Sequence, residues 1–126
     1  MGSEMCIRDR VKGDLRVIEK ARKWTLDMRK CAFEARCDFF TMDQIVRAAT
    51  SVHLNLVEGS HSIYPGVAAQ SFSTARASLA EALAGLDLLH AEGRVSADQM
   101  SELRAAGDEI SRMTWALIRY KLKMKG

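Results

Sequence analysis

Four separate stretches of this chain place apolar residues at alternating steps of four and three, and that spacing constrains the fold more than any other property. The first carries Val17, Ala21, Trp24, Met28, Cys31 and Ala35, and the second Ile45, Ala49, Val52 and Leu56. The third carries Phe72, Ala75, Leu79, Ala82, Leu86 and Leu89, and the fourth Met100, Leu103, Gly107, Ile110, Thr114 and Leu117, with Trp115, Ile118 and Tyr120 widening the apolar surface. Residues so spaced share one side of an α-helix, so each stretch must lay a narrow seam against other helices. The spacing predicts helices over about 14–36, 42–58, 67–92 and 97–122, the third about 40 Å long at 1.5 Å per residue. Short connections between four such helices predict an all-α, antiparallel up-down four-helix bundle. In that topology the first and last helices become neighbours.

Local signals predict the ends. Asp14 follows Gly13 and is placed to cap the first helix. Thr41-x-x-Gln44 and Ser96-x-x-Gln99 read as capping boxes opening the second and fourth. Gly59 and Gly93 are expected to terminate the second and third, with residues 60–66, including the single proline Pro65, as a loop. Met1–Arg10 lacks a helical period and resembles translated adapter sequence, so residues 1–12 are expected to be disordered or non-native, with one bundle over 13–126.

At 126 residues the chain suffices for one domain with a sizeable core. Three cysteines, Cys6, Cys31 and Cys37, are odd in number and form no CxxC pair, which points to free thiols in a reducing compartment. No apolar run approaches a bilayer span and no signal-like segment opens the chain, so a cytoplasmic protein without a membrane partner is expected. Charge is uneven. Residues 1–36 hold ten Lys/Arg against six Asp/Glu, residues 37–111 four against ten, and residues 112–126 five against none. Folding the chain into a bundle therefore brings two basic ends to one side, and Arg16, Lys20, Lys23, Arg112, Arg119, Lys121 and Lys123 are the candidate phosphate contacts. The bland alternative is a solvated charged face, since Lys and Arg are mostly exposed for no special reason.

The second helix carries a further stripe, Arg47, Ser51, Asn55 and Glu58, beside its apolar seam. Small polar groups so placed either meet solvent at the flank or pair across helices, because burial without partners costs about 1–3 kcal/mol each. Arg47, Asn55, Glu58, Ser78 and Glu81 are expected to satisfy one another and fix the register of the second and third helices. Catalytic signals are absent. His53, His61 and His90 lack metal-ligand spacing, neither Cys31 nor Cys37 has an activating partner in the sequence, and Glu58 with Glu81 lacks the Glu-x-x-His that a di-iron bundle uses. No enzyme, metal or cofactor is expected.

The run Gln44-Ile45-x-Arg47-Ala48-x-x-Ser51-Val52-x-x-Asn55-Leu56-Val57-Glu58-Gly59, followed by Ala75-x-x-Ser78-Leu79-x-Glu81, resembles a family of bacterial four-helix-bundle proteins. These are encoded in intervening sequences of 23S rRNA genes, and the accessory variability determinant of diversity-generating retroelements is related to them. The resemblance covers about residues 15–122. It implies a homo-oligomer, in the form of a homopentamer, without enzymatic activity, and for the retroelement proteins it implies binding of RNA or DNA and of a reverse transcriptase through a basic surface. Ser60-His61-Ser62-Ile63-Tyr64-Pro65 departs from the basic residues many relatives carry after Glu-Gly, so the loop is not the expected nucleic-acid contact. The function expected is a non-enzymatic, oligomeric RNA-binding bundle, with a protein-interaction or scaffold module, such as a reverse-transcriptase accessory protein, as the alternative.

Overall fold

The computed structural model describes the backbone of residues 7–125 and the side chains of residues 14–124. It contains α1 (Ile7–Glu34), α2 (Phe39–His61), α3 (Pro65–Ala91) and α4 (Ala97–Lys125), with no strand among the described residues. Each helix packs on two neighbours, α1 on α2 and α4, and α3 on α2 and α4, which closes a four-helix bundle. Contacts across α2 and α3 run from Ile45 against Gly85, through Ser51 against Ser78, to Gly59 against Phe72, so these helices point in opposite directions. Lys20 against Glu109 and Trp24 against Leu103 set α1 and α4 the same way.

Every seam residue named from the spacing is buried. Two consecutive residues of α1 tie it to both neighbours: Trp24 Nε1 donates to the Leu103 carbonyl at 3.0 Å, and Thr25 Oγ1 donates to the Ala49 carbonyl at 3.0 Å. Gly107 makes room for the first, since a Cβ there would stand 3.3 Å from Trp24 Nε1 and 3.1 Å from Leu83 Cδ1.

The helix ends differ from expectation where tertiary contact outweighs local signal. The helix opening at Ile7 runs through Asp14, which is buried inside α1 and does not cap it. The non-native reading of residues 1–12 thus falls partly on helix, and residues 1–6 lie outside the described residues. The N-cap of α2 is Asp38, which accepts from Thr41 N at 3.0 Å and Thr41 Oγ1 at 2.8 Å. Its carboxyl is held below the usual range by the Thr41 amide first and the Thr41 hydroxyl second. Thr41 is therefore the third residue of the helix, bonded to the cap rather than being it. The box at Ser96 forms as expected, with Gln99 N donating to Ser96 Oγ at 3.1 Å and Ser96 N to Gln99 Oε1 at 3.3 Å.

Gly59 does not end α2, which continues to His61. It is buried, and a Cβ there would fall 2.6 Å from Phe72 Cε1, so its missing side chain admits the ring from α3. Pro65 belongs to the first turn of α3, where its lacking N–H costs nothing, leaving Ser62–Tyr64 as the connection. Gly93 closes α3 at φ +80°, as expected. Arg94 follows it and donates through Nη1 to the Arg36 carbonyl at 2.8 Å and more weakly to the Ala35 carbonyl at 3.4 Å. The α3–α4 connection thereby satisfies carbonyls at the end of α1, where Arg36 sits at φ 53°.

Candidate nucleic-acid interface

The polar stripe of α2 separates into three fates. Ser51 and Ser78 hydroxyls meet at 2.9 Å across α2 and α3, and Asn55 Nδ2 donates to the Ser51 carbonyl at 2.9 Å and to Ser51 Oγ at 3.0 Å. Arg47 turns outward to Asp43, with Nε donating to Oδ2 at 2.8 Å. Glu58 and Glu81 are exposed. The expected cluster therefore contracts to Ser51, Asn55 and Ser78, with Arg47 drawn to Asp43 on its own helix and Glu58 left in solvent. Gly59, the last residue of the motif, serves the packing with Phe72.

The seven candidate phosphate contacts do not behave alike. Arg16, Arg112, Arg119 and Lys123 are exposed. Lys20 is engaged, with Nζ 2.6 Å from Glu109 Oε1 across α1 and α4. That lysine holds the Glu109 carboxyl below its usual range, first by hydrogen bond and then by charge, and Arg112 and Arg16 add to the effect. Lys23 pairs with Asp27 at 2.7 Å, which with Glu102 raises its own pKa, and it lines a mixed-charge recess with Asp27, Lys30, Glu34 and Glu102. Lys121 is a correction. It is buried, 3% exposed, and a buried ammonium is not offered to a phosphate. The seam of α4 already contains the reason, since four residues beyond Leu117 is Lys121.

Arg76, which spacing did not single out, and Trp115, which it placed on the apolar surface of α4, complete the basic surface. Trp115 is 43% exposed, with the Arg76 guanidinium 5.1 Å and that of Arg119 5.8 Å from its ring centroid. Arg76 comes from α3, and its Nε donates to Ser111 Oγ at 3.1 Å on α4. Cation–π contacts of this kind hold guanidinium groups over indole at modest strength when exposed. The signal available in the sequence is charge segregation. Residues 65–80 and 110–126, which meet because α3 and α4 are antiparallel, contain six Lys/Arg and no Asp/Glu. Residues 81–109 hold seven Asp/Glu and two Lys/Arg. The basic surface is thus centred on the second half of α4, flanked by Arg16 of α1 and Arg76 of α3, and the remainder of the α1–α4 flank is charge-balanced.

Among the described residues no group of three or more His, Cys, Asp or Glu is arranged to hold a metal ion, and no helix is long and apolar enough to cross a membrane. Cys31 is buried, which pushes its thiol up and away from reactivity, and Cys37 is half-buried.

Comparison with curated proteins and with solved structures returns no match. A family model described as 23S rRNA-intervening sequence protein matches residues 13–116, which spans α2 with its motif and α3 whole and most of α1 and α4. The chain belongs to the 23S rRNA-intervening sequence protein family.

Proposed function

We propose that this protein is a non-enzymatic RNA-binding subunit that acts as a homo-oligomer, with Arg16, Arg76, Arg112, Arg119 and Lys123 as its phosphate contacts. The observation that carries this reading is the basic surface around the second half of α4, where the exposed guanidinium groups of Arg16, Arg112 and Arg119 and the half-buried one of Arg76 form no ion pair with an Asp or Glu among the described residues. Guanidinium groups that are not neutralised by a carboxylate lose little by meeting a polyanion, and each phosphate contact releases condensed counterions. Lys20 and Lys23 contribute less, since each already faces a carboxylate.

Assembly is supported by a second surface. Leu15, Leu26 and Phe33 are exposed and recur at steps of eleven and seven along α1, so they share one face, and Leu54 is exposed on α2. An apolar row of this length on a small domain suits contact with another copy, and family resemblance supplies the number five. Repetition of the basic surface around such a ring multiplies individually weak contacts by avidity.

Binding of a labelled RNA hairpin tests the reading when followed from low to physiological salt. Affinity is expected to fall steeply with salt, and the double substitution R112E/R119E to weaken binding at least tenfold while reducing the salt slope by about two per chain. Salt-independent binding, or binding indifferent to charge reversal, refutes it. The apolar row of α1 favours a second reading, a scaffold that holds a protein such as a reverse transcriptase. Capture of that partner after nuclease treatment, with no direct RNA binding, selects the scaffold.

A further inference from the structure

We propose that Trp115 is a stacking platform for one unpaired RNA base, with Arg76, Arg112 and Arg119 taking the phosphates beside it. This rests on the RNA-binding reading above and names the form of RNA that the same surface selects.

The two tryptophans of the chain have opposite fates. Trp24 is sealed in the core at 2% exposure, with its Nε1 bonded to the Leu103 carbonyl. Trp115 lies one position off the α4 seam and leaves nearly half its area to solvent. An exposed indole is an expensive choice for a solvated flank, and here its near neighbours are guanidinium groups from two helices. Ser111 fixes Arg76 through Nε, which holds that guanidinium over the ring, 5.1 Å from its centroid, and leaves Arg119 as the guanidinium free to move. Arg119 stands one helical turn beyond Trp115, exposed, and among the described residues no carboxylate reaches it. It is thus able to give up the ring to an incoming base and move its charge to the adjoining phosphate.

The surroundings choose between occupants. A protein partner would have to bring carboxylates to a surface with no acidic residue of its own in 65–80 or 110–126. Nucleic acid brings the anions and the aromatic face together. An A-form duplex keeps its bases stacked inside and cannot present one to the indole, so the geometry favours a single strand, a bulge or a loop.

Tryptophan emission reads this directly. The full-length protein is titrated with a labelled twelve-nucleotide oligoadenylate and, separately, with a blunt twelve-base-pair RNA duplex. Indole emission and RNA anisotropy are recorded for the wild type, W115F and W115A. The expected result is quenching by the single strand and not by the duplex, lost in W115F because the remaining Trp24 is buried. Affinity for the single strand is expected to fall by about tenfold or more in W115A and by less in W115F, which keeps an aromatic face, with duplex affinity unchanged in both. Circular dichroism verifies that both variants fold. Equal quenching by duplex and single strand overturns the platform, as does W115A binding oligoadenylate as tightly as the wild type. If that occurs while R112E/R119E still abolishes salt-sensitive binding, the platform fails and the RNA-binding reading stands. If neither RNA binds at low salt, both fall.

Discussion

Replacing Gly59 by alanine tests how closely α2 and α3 approach. In a solvent-facing helix this change stabilises by about 1 kcal/mol, because alanine is the better helix former. Here the new Cβ would lie 2.6, 2.7 and 3.0 Å from Phe72 Cε1, Cδ1 and Cζ, where ordinary contact begins at 3.4 Å. The ring must retreat by about 0.8 Å, and Phe72 is fully buried in an interior packed as densely as an organic crystal. Overpacking of this kind costs about 1–3 kcal/mol, and a shift this large belongs in the upper half of that range. The net expectation is a loss of about 1–2 kcal/mol, or a melting temperature lower by about 3–10 °C for a domain of this length. Thermal and urea unfolding followed by circular dichroism measure it. In an F72L background, which withdraws Cε1 and Cζ, the same change should cost less, with a coupling of at least about 0.5 kcal/mol. A melting temperature that rises on Gly59→Ala, as at an exposed helical glycine, would refute the close approach. Gly85→Ala should also destabilise, since its Cβ would fall 2.6 Å from Ile45 Cγ1.

Three further outcomes follow from the same structure. Trp24→Phe, which removes a buried hydrogen bond to the Leu103 carbonyl and part of a large ring, is expected to lower stability by about 1–3 kcal/mol in urea titration; a change under about 0.5 kcal/mol would mean the indole N–H contributes nothing. Asp38 and Glu109 both have carboxyls held low in the folded state, so their contribution is present above the unfolded values and lost as pH falls through the lowered ones. Urea midpoints between about pH 5 and pH 2 should therefore decline less steeply in D38N and E109Q than in the parent, and because Glu109 stands among Lys20, Arg112 and Arg16, E109Q should also bind RNA more tightly at low salt. In a Cys6→Ser background, a thiol reagent at neutral pH is expected to modify Cys37 well before Cys31, whose burial disfavours the thiolate; equal rates would contradict that burial.

Period carried the fold and failed at its edges for identifiable reasons. The seams from Val17 to Ala35 and from Phe72 to Leu89 were readable because helical spacing fixes which residues face inward, whatever the partner. Gly59 misled because a glycine after a helical run has two uses, stopping the helix or admitting a neighbour, and only Phe72 on another helix decides between them. Asp38 prevailed over Thr41 as the cap for a similar reason: both are good N-caps, and the chain's path into α2 selects the earlier one. At the basic surface, Lys121 was visible as an extension of the α4 seam but its charge suggested exposure. Arg76 was beyond the reach of spacing altogether, since its partners Ser111 and Trp115 lie 35 and 39 positions away and meet it only when α3 turns back on α4.

The partition of charge along α3 and α4 gives the bundle a direction. Cations collect where α3 begins and α4 finishes, and acids collect at the opposite pole. In a cyclic assembly with bundles parallel to the rotation axis, all poles align, so one rim of the ring is positive and the other negative. Such a particle has a front and a back, and a polyanion approaching from solution would be drawn to the front alone.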